Sequence, residues 1–264
     1  LLTLNNTWAA RHAEAGTIEP LSPDDFPAMD NFLSEFQWPF SSFEYDDETV
    51  RSVYEEFAAS GFDAAKVKVG YPTVEADLER LELVRDVLGE DCLLAVDVNT
   101  TWTPKETLRR ARAYHDAGLN IYWIEDPVPA SQIEGIQRVV DGVTRSLVNV
   151  GEYVDFDGKR ELLARDAVDM LNLRNGLLSE SLNAAAMAHS HGAALHVGDI
   201  PGELGVHVAA ALPGDPMLEY WKRPWDLLTE QSVPIKDGSL IAPDRPGHGV
   251  TVAEDAIEEY GENS

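Results

Sequence analysis

Three acidic residues punctuate this chain at nearly equal intervals, each closing a short apolar run. Asp97 follows Leu93-Leu94-Ala95-Val96, Glu125 follows Ile121-Tyr122-Trp123-Ile124, and Glu152 follows Leu147-Val148-Asn149-Val150-Gly151. The steps between them, 28 and 27 residues, are each the length of one strand plus one returning helix. Neighbouring parallel strands would then carry all three carboxylates to the same end of one sheet. Three carboxylates at one point are a site for a hard divalent cation, which prefers oxygen donors.

The pattern around these acids supports the parallel arrangement. Apolar runs too short for helices alternate with amphipathic stretches, the mark of a parallel sheet covered by helices. Candidate strands lie at 38–43, 64–69, 93–97, 121–124, 147–151, 170–174, 194–198 and 216–219. Between them, Leu78, Leu81, Leu83, Val84, Val87 and Leu88 follow helical spacing, with Gly89 as a stop. Thr103 is placed to cap a helix that has Pro104 in its first turn and Gly118 beyond its end. Eight strands with returning helices predict an α/β fold of the (β/α)8 TIM-type, whose chemistry sits where strands end and loops begin. The domain reading is a lid or cap remnant over 1–37, the barrel over 38–219, and a C-terminal segment on the barrel rim over 220–264.

A chain of 264 residues matches the typical length of such a barrel, about 250 residues. No apolar run reaches membrane-spanning length, so no membrane association is expected, and a cytoplasmic location follows from the same reading. The lone Cys92 cannot form an internal disulfide and reads as a small core residue. With 47 acidic against 20 basic residues the net charge is −27, which repels phosphate and argues against nucleic acid as a partner. The acids are dispersed rather than gathered in a tail, as expected of a protein adapted to a salt-rich cytoplasm where ions screen self-repulsion.

Lysine is correspondingly scarce, at 66, 68, 105, 159, 222 and 236 only. Two of these six stand in Ala64-Ala65-Lys66-Val67-Lys68-Val69-Gly70, where strand alternation puts both ammonium groups on one face. With Val67 and Val69 turned to the helices, Lys66 and Lys68 face the barrel interior. Charges there need partners, and the carboxylate cluster supplies them.

Taken in order, Lys66-Val-Lys68, Asp97 in Val-Asp-Val-Asn, Glu125 in Trp-Ile-Glu-Asp-Pro, Glu152 in Gly-Glu-Tyr and the tail Pro243-Asp244-Arg245-Pro246-Gly247 resemble the mandelate racemase and muconate lactonizing branch of the enolase superfamily. The resemblance covers roughly residues 38 to 252. It implies one Mg2+ per chain held by Asp97, Glu125 and Glu152, and a small carboxylate substrate that loses the proton beside its carboxylate to give an enediolate. Lys68 would be the base and Lys66 a contact for the substrate carboxylate. Glu219 would be the last-strand acid that hydrogen-bonds the enediolate, and Asn99 a further polar contact. A homo-oligomer is also expected. Asp126, beside Glu125, should point away by alternation and cap the next helix or pair outside the site.

The sixth and seventh expected strands depart from the family pattern. Arg174 stands in Asp169-Met-Leu-Asn172-Leu-Arg174 where the family carries a Lys or Asp, and a guanidinium is a poor base but a good anchor. Arg174, Asn172 and Asn99 are therefore read as substrate-binding. In Ala193-Ala-Leu-His196-Val-Gly198-Asp199 the family's His position falls on Asp199, with His196 three residues earlier, and either could be the acid. The family's N-terminal α+β capping domain has at most a 37-residue counterpart here, so the cap is either lost or lies outside this sequence. Trp221, Lys222, Arg223 and Trp225 form an aromatic and basic cluster for an anionic substrate or for tail packing.

The expected activity is Mg2+-dependent removal of the proton alpha to a carboxylate, with acid-sugar dehydration favoured because it needs a base on one face only. The acid that expels hydroxide would be His196, Asp199 or a water held by the metal. Alternatives are a racemase or cycloisomerase of the same superfamily, a Schiff-base aldolase using Lys68, and a barrel that binds without catalysing.

Overall fold

The computed structural model describes residues 46–174, 178–198, 200, 202–220 and 228–256. Within them seven helices and seven parallel strands alternate: α1 (Asp47–Ala59), β1 (Ala64–Lys68), α2 (Val74–Leu88), β2 (Leu93–Asp97), α3 (Pro104–Asp116), β3 (Ile121–Glu125), α4 (Ile133–Gly142), β4 (Leu147–Val150), α5 (Phe156–Ala164), β5 (Met170–Asn172), α6 (Leu178–His191), β6 (Ala194–Val197), α7 (Gly202–Ala211) and β7 (Met217–Leu218). A short antiparallel hairpin, β8 (Ile235–Lys236) and β9 (Ser239–Leu240), follows. The parallel strands stand side by side in chain order. The sheet curls until Lys66 of β1 reaches Glu219, just past β7, at 3.1 Å. The expected strand at 38–43 lies outside the described residues.

Local chemistry sets the helix ends. Thr73 accepts from the Ala76 N–H at 3.2 Å and Thr103 from the Glu106 N–H at 3.2 Å, each satisfying a first-turn donor that the helix cannot. Pro104 opens α3 and Gly118, at φ 83°, follows its end. Gly89, at φ 78°, stops α2.

The two faces of the sheet differ. Val67, Leu94, Val96, Ile124, Val148, Leu171 and Val197 pack outward against helix residues such as Leu81, Val84, Ile136, Val139, Leu162 and Ala184 in one continuous core. Fully burying an aliphatic side chain contributes roughly 1.5–3 kcal/mol. A truncation such as Ile124→Ala should cost about 2–5 kcal/mol through the cavity it leaves.

The inner face is apolar only at its base, where Ala95, Trp123 and Met170 pack with Leu147, Ala194 and Met217. At the opposite end of the strands it turns polar. The cause is register: Lys68 pairs with Asp97, Asp97 with Glu125, and Glu125 with Asn149. In parallel strands, residues in register project from the same face, so one row presents two acids, an amine and an amide to the interior.

Candidate metal centre and active site

Asp97 and Glu125 are the last residues of β2 and β3, so ladder hydrogen bonds hold their backbones. Glu152 is placed differently, two residues past the end of β4. Gly151 makes that step at φ 141°, and a Cβ there would lie 2.5 Å from the Asn172 carbonyl oxygen. Only glycine allows this approach. The three carboxylates, two fully buried, each place an oxygen within 4.8 Å of the others.

Lys66 and Lys68 enter the same space. Lys66 Nζ lies 2.8 Å from Glu125 Oε1 and 3.2 Å from Asp97 Oδ2, while Lys68 Nζ lies 2.5 Å from Asp97 Oδ2 and 2.8 Å from Asn99 Oδ1. Burial works to deprotonate Lys66, but Glu125, Glu219 and Asp97 outweigh it and hold its pKa well above the ordinary value. Lys68 is raised in the same way, against burial and Lys66, chiefly by Asp97. The Lys68 side chain keeps 35% of its exposure and lines the cavity beside the centre.

The acids respond in opposite directions. Burial disfavours ionised Asp97, yet the two lysines hold its pKa well below the carboxylate range. Glu125 is pushed up to about 8 by burial and by the charges of Asp97 and Glu219, against the pull of Lys66. Glu152 is raised by burial and by Asp97. Glu219 falls to about 2 because Lys66 and His196 outweigh its burial.

A divalent cation fits this donor set. Asp97, Glu125, Asp126, Glu152 and Glu219 oppose Lys66, Lys68 and Arg174, five carboxylates against three cations. Glu125 would hold a proton near neutrality unless a positive charge compensated it. Asp126 is fully buried, and neither of its oxygens has a hydrogen-bond partner among the described residues. The expectation that Asp126 caps the next helix or pairs outside the site is therefore corrected. Its backbone is held at φ 40° by the Asp126 N–H donating to Asn149 O and the Thr100 N–H donating to Asp126 O, and this turn buries the side chain beneath the acids. The first turn of α4 has Gln132 at its cap, without a side-chain hydrogen bond.

The remaining expected site residues surround this centre. Asn99 Nδ2 donates to the Tyr153 hydroxyl at 3.2 Å, and the Asn99 N–H to Asp97 Oδ1 at 3.0 Å. Asn172 Nδ2 lies 3.3 Å from Glu125 Oε1, and its Oδ1 accepts the Arg174 N–H at 2.9 Å. Asn172 is fully buried, so it orients Glu125 and the Arg174 backbone rather than reaching outward. Arg174 pairs with Glu152 and lies 6.0 Å from the centre of the Tyr153 ring.

His196, 1% exposed, faces Trp123 at 5.2 Å, with Nδ1 3.0 Å from Asn149 Nδ2 and 3.7 Å from Glu125 Oε2. Burial and Lys66 press its pKa down to about 4, so it is neutral at pH 7. Asp199, Trp221, Lys222, Arg223 and Trp225 lie outside the described residues. A cavity of about 190 Å3 opens beside the centre, lined by Lys66, Lys68, Trp123, His196, Glu219 and Tyr54, among others.

Sequence reasoning missed Trp123, Asn149 and Tyr153. The strand alternation that found Asp97 and Glu125 also carries Trp123, whose indole N–H donates to Glu125 Oε2 at 3.0 Å. Tyr153 sits on a loop, where no periodicity could have flagged it.

A family model described as enolase C-terminal domain-like matches residues 48–256. The chain belongs to this family. It lies with relatives from the mandelate racemase and muconate lactonizing enzyme branch of the enolase superfamily. Among those relatives is the arabinonate dehydratase of Saccharolobus solfataricus, 31% identical over 225 residues, which cover 81% of this chain and 60% of that protein. Another is the 3,6-anhydro-alpha-L-galactonate cycloisomerase of Streptomyces coelicolor, 30% identical over 75% of this chain and 55% of that protein. A crystal structure of L-talarate dehydratase from Polaromonas sp. JS666, complexed with Mg and L-glucarate, superposes with a TM-score of 0.73 at 27% identity, covering 82% of this chain and 60% of that one. This enolase-family chain thus spans about 60% of the length of such relatives. No described helix is long and apolar enough to cross a membrane.

Proposed function

We propose that this protein removes the proton alpha to the carboxylate of a small acid sugar and dehydrates it, with Asp97, Glu125 and Glu152 holding one Mg2+. The observation that carries the reading is the convergence of three strand-end carboxylates within 4.8 Å, with Lys66 and Lys68 against two of them. Dehydratases stand among the relatives, and a related structure holds Mg with an acid-sugar ligand.

A proton beside a carboxylate is very weakly acidic, because its removal places a second negative charge on the same group. Bound Mg2+ would supply a fixed positive charge against that dianion. Lys66, cationic and buried, is placed to hold a substrate carboxylate at the same point. Lys68 in its neutral form takes the α-proton onto Nζ. Asp97 is what keeps Lys68 protonated in the bare site, and sharing that carboxylate with a cation lowers the amine's proton affinity. The α-carbon electrons then form the C=C bond as the C–O bond at the β-carbon breaks. Hydroxide leaves as water after taking a proton from an acid, and the enol left behind becomes a 2-oxo-3-deoxy acid. Glu219, 3.1 Å from Lys66, and Arg174 lie where they can steer the substrate's hydroxyls.

The same first step serves a racemase or cycloisomerase, and a cycloisomerase stands among the relatives. Among the described residues, neutral buried His196 and the guanidinium of Arg174 supply no second amine base opposite Lys68, which favours dehydration over a two-base racemisation. The curled parallel sheet is proposed to belong to an eight-stranded barrel of the TIM type. The acidic surface is proposed to suit a salt-rich cytoplasm, so the melting temperature should rise between low and molar salt.

The deciding experiment is α-proton exchange in D2O, screened over a library of acid sugars with Mg2+ in high salt. Exchange and a 2-oxo product with one or more sugars support the reading. A protein that binds Mg2+ and exchanges none of them would be a binding barrel. One that a keto acid and borohydride inactivate together would be an imine-forming aldolase.

A further inference from the structure

Lysine occurs six times in this chain, and one copy that the proposed chemistry does not use is fully buried. Lys159, in the first turn of α5, is 0% exposed. Removing an ammonium from water costs several kcal/mol unless acceptors surround it, and the first turn of a helix is electrostatically unfavourable for a cation. Burial still prevails and pulls the Lys159 pKa down to about 8, so something at this position must offset the rest of the cost.

The acceptors identify it. Lys159 Nζ donates to the Gly151 carbonyl at 2.6 Å and to the Val154 carbonyl at 2.9 Å. These two carbonyls bracket Glu152, the one proposed metal ligand that no strand holds.

We propose that Lys159 is a positioning residue for the metal centre. Its amine ties down the loop that presents Glu152 by holding the two carbonyls on either side of that ligand. The inference rests on the metal reading above but concerns how the third ligand is held. An amine placed behind the site takes over for Glu152 the task that strand pairing performs for Asp97 and Glu125.

The test is Mn2+ affinity of the full chain, measured by electron paramagnetic resonance under conditions where each variant is folded. Lys159→Met should weaken Mn2+ binding about 10- to 100-fold, the range typical for groups that orient metal ligands. In a Glu152→Gln background the same substitution should change affinity less than about two-fold, because the residue acts through Glu152. Val139→Ala, a buried truncation in α4, should lower stability and leave Mn2+ affinity unaltered. Equal weakening by Lys159→Met in both backgrounds, or an affinity within two-fold of the parent, would overturn the inference while the metal reading stands. A parent chain that binds no Mn2+ would remove both.

Discussion

Two buried ionic clusters lie on opposite sides of the same strands, and their difference separates holding a fold from doing chemistry. Behind β1 and β2, Asp77 accepts the Gly70 and Tyr71 N–H groups at 2.8 Å each, with Arg110 and the Tyr114 hydroxyl on its other oxygen. Arg110 also reaches the Tyr71 carbonyl at 2.9 Å and Glu106 at 2.6 Å. Each Asp77 oxygen there has two fixed partners, and the cluster offers nothing to a ligand. At the inner ends of β2 and β3 the acids outnumber the cations, Glu125 is pushed up to about 8 by burial, and Asp126 has both oxygens unsatisfied. The first cluster is closed and structural. The second is complete only when something binds.

The largest expected effect would break this contrast if it failed. Glu125→Gln should lower turnover about 10^4-fold, equivalent to 5–6 kcal/mol of barrier, by removing a ligand of the charge that steadies the dianion. With a chelator at pH 7 the same variant should lose less than about 1 kcal/mol in urea melts. Glu125 is already largely protonated in the bare site, and Gln reproduces its neutral form.

Asp77→Asn should show the reverse. Breaking a buried pair costs about 3–5 kcal/mol, read by the same melts, while Mn2+ affinity stays within two-fold of the parent. A large loss of affinity would mean the two clusters are one.

A third prediction concerns acid. His196 has a folded pKa of about 4 against an ordinary 6.5, so between those values the unfolded chain binds a proton that the native state refuses. Stability therefore falls as pH drops from 6.5 towards 4, by up to about 3 kcal/mol at 1.36 kcal/mol per unit. In metal-free melts His196→Gln should flatten that part of the profile.

The smallest effect belongs to the rim of the closed cluster. The Glu106 carboxyl, held down to about 2 by hydrogen bonds from Arg109 and Arg110 against its partial burial, contributes stability above pH 4.5 that is lost as pH falls towards 2. Solvent screening keeps the contribution under about 1 kcal/mol. Glu106→Gln should remove only that much, measured between pH 5 and 2.5.

The open cluster was largely legible in the sequence because strands wrote it. A period of two residues along β1 placed Lys66 and Lys68 together, and a period of one βα unit placed the acids. Asp97 and Glu125 interrupt apolar runs where an alternating core gives no other reason for a charge. Seven of the expected strands appear within a residue or two of their forecast bounds for the same reason. What a strand does not write was harder to see. Asp126 was misjudged because alternation stops where the backbone takes φ 40°, and Tyr153 lies on a loop. Lys159 follows a helical period that reports which face is buried but says nothing of an amine reaching back to the preceding turn. The closed cluster was invisible for a related reason: Asp77 and Arg110 sit on different helices, 33 residues apart, and each alone looks like an ordinary surface charge.

Gly151 carries a consequence beyond its own turn. With 2.5 Å between a hypothetical Cβ and the Asn172 oxygen, even a methyl group would drive β4 and β5 apart. The Asn172 amide would then withdraw from Glu125, and Glu152 would swing with the displaced loop. One added carbon would thus disturb two of the three carboxylates without touching either. Mutational libraries aimed at new substrates should leave this position fixed and vary Tyr153 and Arg174 instead.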